Sequence, residues 1–242
     1  KGRFHWNKRG PEALRKSIDY LNQAIEKDPG FALAYAGLAD AYVVPATGLP
    51  PREAMPKAKQ AALRALELDE SLAEAHTSLG RVLQVYDWDW AGAEKEFKRA
   101  IELNPRYAVA RQWYGGYYDR LGRSTEAAFE RKVALELDPL SLIINFELGT
   151  SYYYAREYDK AIEQLKKTLE LDPSFPAARQ FLPAVYLQKG MNDEAIELFK
   201  KDSLGGLGNA YAVSGRKQEA LATIDELKRL RGQQYVSAVS VA

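Results

Sequence analysis

His5 and His76 are the two histidines of this 242-residue chain, the side chains best suited to acid–base or metal chemistry near neutral pH. A helical zinc site needs imidazoles at i and i+4, and neither histidine has such a partner. His76 falls where one helix must pack on another, which predicts a structural role. No Gly-x-Ser-x-Gly elbow occurs, and without cysteine there is no thiolate nucleophile, cysteine zinc site or disulfide. Gly205, Gly206 and Gly208 form a glycine cluster, but a phosphate loop also requires a preceding strand, and none is predicted. Carboxylates lie mostly beside basic residues at helical spacing, as Glu163 does with Lys167, the pattern of solvated ion pairs. The expectation is no catalytic site, no metal and no cofactor.

Trp88 and Trp90, in Tyr86-Asp-Trp-Asp-Trp90, are the most conspicuous aromatic cluster. At a turn between helices they either plug a hairpin end or stand exposed as a binding anchor, and packing is the simpler expectation. Lys plus Arg number 34 against 33 for Asp plus Glu, so no charge excess exists to hold a polyanion or an anionic membrane. Direct nucleic-acid binding is not expected. No apolar run reaches the ~20 residues of a membrane span, so neither is membrane insertion. An apolar fraction of 46% is enough for a continuous core. The lack of cysteine fits a reducing compartment, and a cytoplasmic location is expected. The chain starts at Lys1 without an initiator Met and stops at Ala242, which reads as a piece of a longer protein.

The elements that position these residues repeat. Glu26-Lys-Asp-Pro29, Glu102-Leu-Asn-Pro105, Glu136-Leu-Asp-Pro139 and Glu170-Leu-Asp-Pro173 mark a period, with Glu67-Leu-Asp-Glu70 as a proline-less variant. From Pro29 the steps to Glu70, Pro105, Pro139 and Pro173 are 41, 35, 34 and 34 residues. In step run Ala58, Ala93, Ala127, Ala161, Ala195 and Ala220, preceded by Ser17, and on the other helix Ala39, Gly80, Gly115, Gly149 and Gly208. Small side chains let paired helices approach, and a helical glycine costs ~1 kcal/mol, so it is retained for such a reason. Bulky residues fill around them, such as Leu79, Tyr114 and Leu148 just before the small position and Leu83, Tyr118 and Tyr152 three residues after it. X-Pro pushes the preceding residue out of the helical region and ends each unit, while Gly122 and Gly190 join the two helices within one.

This pattern resembles the tetratricopeptide repeat signature across nearly the whole chain. The resemblance implies an all-α, right-handed α-solenoid of about six to seven helix-turn-helix units. The landmarks place them near 1–31, 32–72, 73–107, 108–141, 142–175, 176–200 and 201–234, with 235–242 opening a truncated further helix. A unit cannot bury its apolar face alone, so one undivided array is expected.

Four places depart from the pattern. The second unit is seven residues too long between Tyr42 and Ala58, and Pro45, Pro50 and Pro51 predict that the surplus projects as a loop. Only 13 residues separate Ala195 from Gly208 where 22 separate Ala161 from Pro183. Either the second helix of the sixth unit is truncated or residues are absent around 200–206, the reading slightly preferred. Pro183 occupies a small-residue position inside a helix begun by Pro176, which predicts a bend. Arg131 stands where an apolar residue belongs, with its stem expected on the core and its head in solvent.

In tetratricopeptide proteins the inner face of each first helix commonly receives a peptide or partner helix. Carried over, that register implies a groove of Thr77, Arg81 and Gln84, then Gln112 and Asp119, then Phe146, Thr150, Tyr153 and Tyr154, then Gln180 and Gln188, and finally Asn209. The Lys–Asn clamp that holds chaperone carboxylate tails is not reproduced, since those positions carry Thr77 with Arg81 and Phe146 with Thr150. The aromatic centre suggests an apolar anchor from an extended segment or helix instead. Gly2-Arg-Phe-His-Trp-Asn-Lys8, Ala34-Tyr-Ala-Gly-Leu-Ala-Asp-Ala-Tyr42 and Tyr86-Asp-Trp-Asp-Trp-Ala-Gly-Ala93 also look like the C-terminal repeats of bacterial regulators that carry an N-terminal winged-helix, cyclase or protein-kinase module. The resemblance implies a non-catalytic protein-binding scaffold in a signalling protein. A self-association module forming a homo-oligomer is the alternative, and a small-molecule sensing domain a weaker one.

Overall fold

The computed structural model describes residues 1–7, 11–44 and 48–231, and all regular structure among them is helical. Contacts divide the chain into two compact units, Lys1–Asp138 and a second beginning at Pro139. The helix expected over 235–242 lies outside the described residues, as does Pro45.

The first unit holds four helical hairpins: α1 (Gly2–Asn7) with α2 (Pro11–Lys27), α3 (Ala32–Val43) with α4 (Pro51–Leu68), α5 (Ala73–Val82) with α6 (Trp90–Leu103), and α7 (Ala108–Arg120) with α8 (Ser124–Leu137). The small residues lie where helices touch. A methyl group built on Gly80 would sit 3.2 Å from the Phe97 ring and 3.3 Å from the Ala93 carbonyl, and one on Gly115 would sit 3.0 Å from Arg131 Cγ and 3.1 Å from the Ala127 carbonyl. Ser17, Ala58, Ala93 and Ala127 are all buried at the matching positions.

Between hairpins the chain turns on a side chain as well as on proline. Asp28 Oδ1 accepts from the Gly30 amide at 3.0 Å, Asp69 Oδ1 from Ser71 at 2.9 Å, and Asn104 Oδ1 from Arg106 at 3.1 Å. This Asx turn is available at Asp69-Glu70 without proline, which explains why the repeat tolerates its loss there.

The two oversized intervals are absorbed in different ways. Thirteen residues separate Gly80 from Ala93 where 12 separate Gly115 from Ala127, and the extra one is taken up by a π-helical turn, Leu83–Asp87, that continues α5. Part of the seven-residue surplus is helical. Pro51 serves as the first residue of α4, Pro56 lies within that helix, and α4 reaches 18 residues against 14 in α6 and α8. Proline is well suited to begin a helix, so Pro51 opens α4 where a projecting loop was expected.

The second unit holds α9 (Leu142–Tyr154) with α10 (Tyr158–Leu171), α11 (Pro176–Lys189) with α12 (Asn192–Asp202), and α13 (Leu204–Val213) with α14 (Lys217–Arg231). A methyl on Gly149 would meet Leu165 Cγ at 2.9 Å, and Ala161 and Ala195 are buried in register. The Asx turn recurs at Asp172, whose Oδ1 accepts from Ser174 at 2.8 Å. Ser203 alone joins α12 to α13: its amide donates to the Phe199 carbonyl at 2.9 Å and its hydroxyl accepts from Gly206 at 3.1 Å. The short interval is thus closed by a second helix of 11 residues against 14 in α10, the truncated-helix alternative. Buried Pro183 sits inside α11, which continues through it to Lys189.

Candidate functional site

In the first unit the residues assigned to the groove are largely enclosed. Thr77, Gln84 and Gln112 are buried. Thr77 Oγ1 donates to the Ala73 carbonyl of its own helix at 2.7 Å. Gln84 Nε2 donates to the Gly116 carbonyl at 3.1 Å while its Oε1 accepts from Arg81 at 3.1 Å. A methyl on Gly116 would stand 3.5 Å from the Arg81 guanidinium, an ordinary contact, so what ties this stretch to α7 is the Gln84 bond to the Gly116 carbonyl.

Asp119 is also redirected. Arg131 is only 4% exposed and donates to Asp119 Oδ2, so its head does not reach solvent as expected. It fills the register occupied by Phe97 and Leu165 elsewhere, and a guanidinium held there needs a carboxylate in place of water. Asp40 forms a further buried polar joint: it accepts from Ser78 and, at 3.3 Å, from the Tyr107 hydroxyl, while its carbonyl accepts from Trp6 Nε1 at 3.0 Å. Nothing in local periodicity marks that joint, because its partners come from three other segments of the chain: α1, α5 and the residue before α7.

The second unit presents a different surface. Phe146 on α9 meets Phe175 and Phe181 edge-on, both at 5.9 Å between centroids, and Tyr153 meets Phe181 edge-on at 5.1 Å. Tyr153 also touches Tyr154 at 5.3 Å and Tyr158 at 5.9 Å. Burial, then the neighbouring Tyr158 and Tyr154 phenols, push the Tyr153 hydroxyl above the usual tyrosine value, so it stays a neutral donor. Tyr154 is 62% exposed, and Gln180, Gln188 and Asn209 are exposed too. Thr150 spends its hydroxyl on the Glu147 carbonyl at 2.8 Å. Buried Asn145 braces α9 from behind, donating to the Pro139 and Ser141 carbonyls at 3.1 and 2.9 Å and accepting from Gln164 at 2.6 Å. Phe175 and Phe181 complete this aromatic face and were not among the groove residues expected from sequence; their place in the following repeat is the signal that would have found them.

The remaining candidates have structural partners. His76 Nδ1 lies 2.5 Å from Glu96 Oε2 and Nε2 lies 3.0 Å from the Glu70 carbonyl, while His5 stacks on Tyr20 at 5.4 Å. A methyl on Gly206 would strike the Phe199 ring, so that glycine serves packing at the start of α13. Among the described residues no group of three or more His, Cys, Asp or Glu could hold a metal, and no helix is long and apolar enough to cross a membrane. The two tryptophans divide: Trp90 packs on the core beside Tyr117 at 5.9 Å, whereas Trp88 is 70% exposed, with φ of 58°.

Tandem helical hairpins with small residues, mostly glycine or alanine, where their helices cross define an all-α repeat protein of the α-solenoid class. Residues 85–140 and 152–204 each match a tetratricopeptide repeat family model, and the chain carries tetratricopeptide repeats over these segments. Repeats of this kind generally mediate protein–protein interaction and are generally non-catalytic scaffolds. Among curated proteins it is similar to the transcriptional regulator HilA of Salmonella typhimurium, 29% identical over 129 residues. That match spans 52% of this chain and 23% of the regulator's length. Among solved structures it resembles PilW, described as a widely conserved type IV pilus biogenesis factor, with TM-score 0.71 and 22% identity over 86% of this chain and 96% of that one. PilF of Pseudomonas aeruginosa gives TM-score 0.63 and 23% identity over the same shares, 86% and 96%. At these identities the structural likeness concerns the fold.

Proposed function

We propose that the chain is a non-catalytic, cytoplasmic protein-binding scaffold within a larger bacterial signalling or transcription-regulatory protein. Its working surface is the aromatic face of the second unit. The observation that carries this reading is the run from Phe146 through Phe181 to Tyr153, which ends in the exposed ring of Tyr154 with Gln180 and Gln188 on the neighbouring helix. The inner rings are already packed on one another, so they make a firm floor, and Tyr154 supplies contact area that a partner covers. Such a face suits an apolar anchor on an extended segment or helix, with glutamine amides taking its backbone groups. The regulatory setting is supported by the likeness to HilA.

The test uses Tyr154→Ala alone and with Gln180→Ala and Gln188→Ala, because exposed positions can be changed without removing the floor. Peptides displayed on an array and bound by the chain should lose at least tenfold in affinity with the triple variant, in line with ~1–2 kcal/mol for a central aromatic anchor. Unchanged binding would move the function off this face. A mass in light scattering that doubles with concentration, and returns to monomer in the triple variant, would assign the face to a second copy of the chain.

A further inference from the structure

We propose that the first unit carries a small-molecule site, in the cleft between its first hairpin and α3, for an amphipathic organic anion: an acyl or aryl carboxylate. The cleft has a volume of about 590 Å³, within the roughly 300–1,000 Å³ of small-ligand sites. Its floor is aliphatic, formed by Leu21 and Ala24 of α2 and Ala34 and Gly37 of α3. Leu21 is fixed there from both sides. A methyl on Gly2 would come within 2.8 Å of it and one on Gly37 within 3.0 Å, so the absence of two side chains shapes this wall. At the rim Tyr20, Phe31 and Leu33 stand exposed, apolar surface that a ligand's hydrocarbon body would take out of water.

The polar groups at the cleft select the head of that ligand. Trp6 Nε1 and the Ser17 hydroxyl are committed inward, to the Asp40 carbonyl at 3.0 Å and the Gly2 carbonyl at 2.9 Å. The other polar side chains lining the cleft are two lysines, Lys1 and Lys27, one carboxylate, Glu74, and the Gln23 amide. Lys27 makes no ion pair among the described residues, whereas Lys16 on the same helix is held by Glu12 at 2.7 Å. Lys1 lies 6.0 Å from the Tyr20 ring centroid, at the edge of the apolar rim. An apolar floor bordered by two cations fits a carboxylate with a hydrocarbon body and disfavours a cationic amphiphile.

The test titrates the whole chain calorimetrically with decanoate, 4-phenylbutyrate and decanol. Decanoate or phenylbutyrate should bind at one site at least tenfold more tightly than decanol, and more weakly as salt is raised. Lys27→Glu, at an exposed position, should weaken it about tenfold. Ala24→Phe, checked for native helicity, should fill the cleft and abolish it. Lys95→Glu and Tyr154→Ala should leave it within twofold, which separates this site from the face of the second unit. Equal affinity for decanol, no heat with either carboxylate, or binding indifferent to both Lys27→Glu and Ala24→Phe would overturn the proposal.

Discussion

Arg131 of α8 sends its guanidinium to the Asp119 carboxylate near the end of α7, closing the fourth hairpin with an ion pair where its neighbours use an apolar residue. The arginine side chain is 5% exposed and the aspartate 19%. Removing one partner leaves a charge with little water, whereas removing both does not. Asp119→Ala is therefore expected to destabilise the chain by about 3–5 kcal/mol, while Asp119→Ala with Arg131→Leu recovers most of that loss. Urea denaturation of the single and double variants measures the coupling. Additive losses would mean that the pair contributes no mutual stabilisation.

Glycines in one repeat register are expected to respond in opposite directions. At Gly149 a methyl lies 2.9 Å from Leu165 Cγ, closer than the packed core tolerates, so Gly149→Ala should destabilise by about 1–3 kcal/mol. At Gly208 the nearest atom, Thr223 Cγ2, is 3.4 Å away, an ordinary contact. There the helix propensity of alanine prevails, and Gly208→Ala should stabilise by up to ~1 kcal/mol. Thermal unfolding of the two variants decides the point, and a loss of equal size at both would show that the register alone sets the cost.

That contrast also shows what was legible in the sequence. Small residues at most crossings and Asp or Asn at most inter-repeat turns are demanded by contacts that a hairpin makes within itself or at its edge, so they repeat and can be read. The enclosure of Thr77, Gln84 and Gln112 depends on how successive hairpins lie against one another, through contacts such as that of Gln84 with the Gly116 carbonyl, which differ from repeat to repeat. The repeat register alone places Asp119 on a groove, whereas Arg131 holds its carboxylate within the hairpin. A cation at a core position four residues after Ala127 already called for an acid nearby. The extra residue between Gly80 and Ala93 could be counted from sequence, but whether it enters a loop or a π turn is decided by competing backbone hydrogen bonds that no residue type announces.

His76 makes the stability of the third hairpin depend on pH. Both of its ring nitrogens face oxygens, Glu96 Oε2 at 2.5 Å and the Glu70 carbonyl at 3.0 Å, and only the imidazolium can donate to both. Burial is the largest single influence and disfavours that charge, as does Arg99. The hydrogen bonds to Glu96 and Glu70, with the Glu96 charge, outweigh them and raise the pKa above its ordinary value. A raised folded-state pKa contributes stability in full below the unfolded value of about 6.5, and that contribution disappears as pH rises through the folded value. His76→Gln should therefore cost most near pH 5.5 and least near pH 8.5. Melting temperatures of the two proteins across that range should converge as pH rises, since the neutral imidazole can donate to only one of its two acceptors. Curves that stay parallel would mean that the proton on His76 has no part in holding α5, α6 and the turn at Glu70 together.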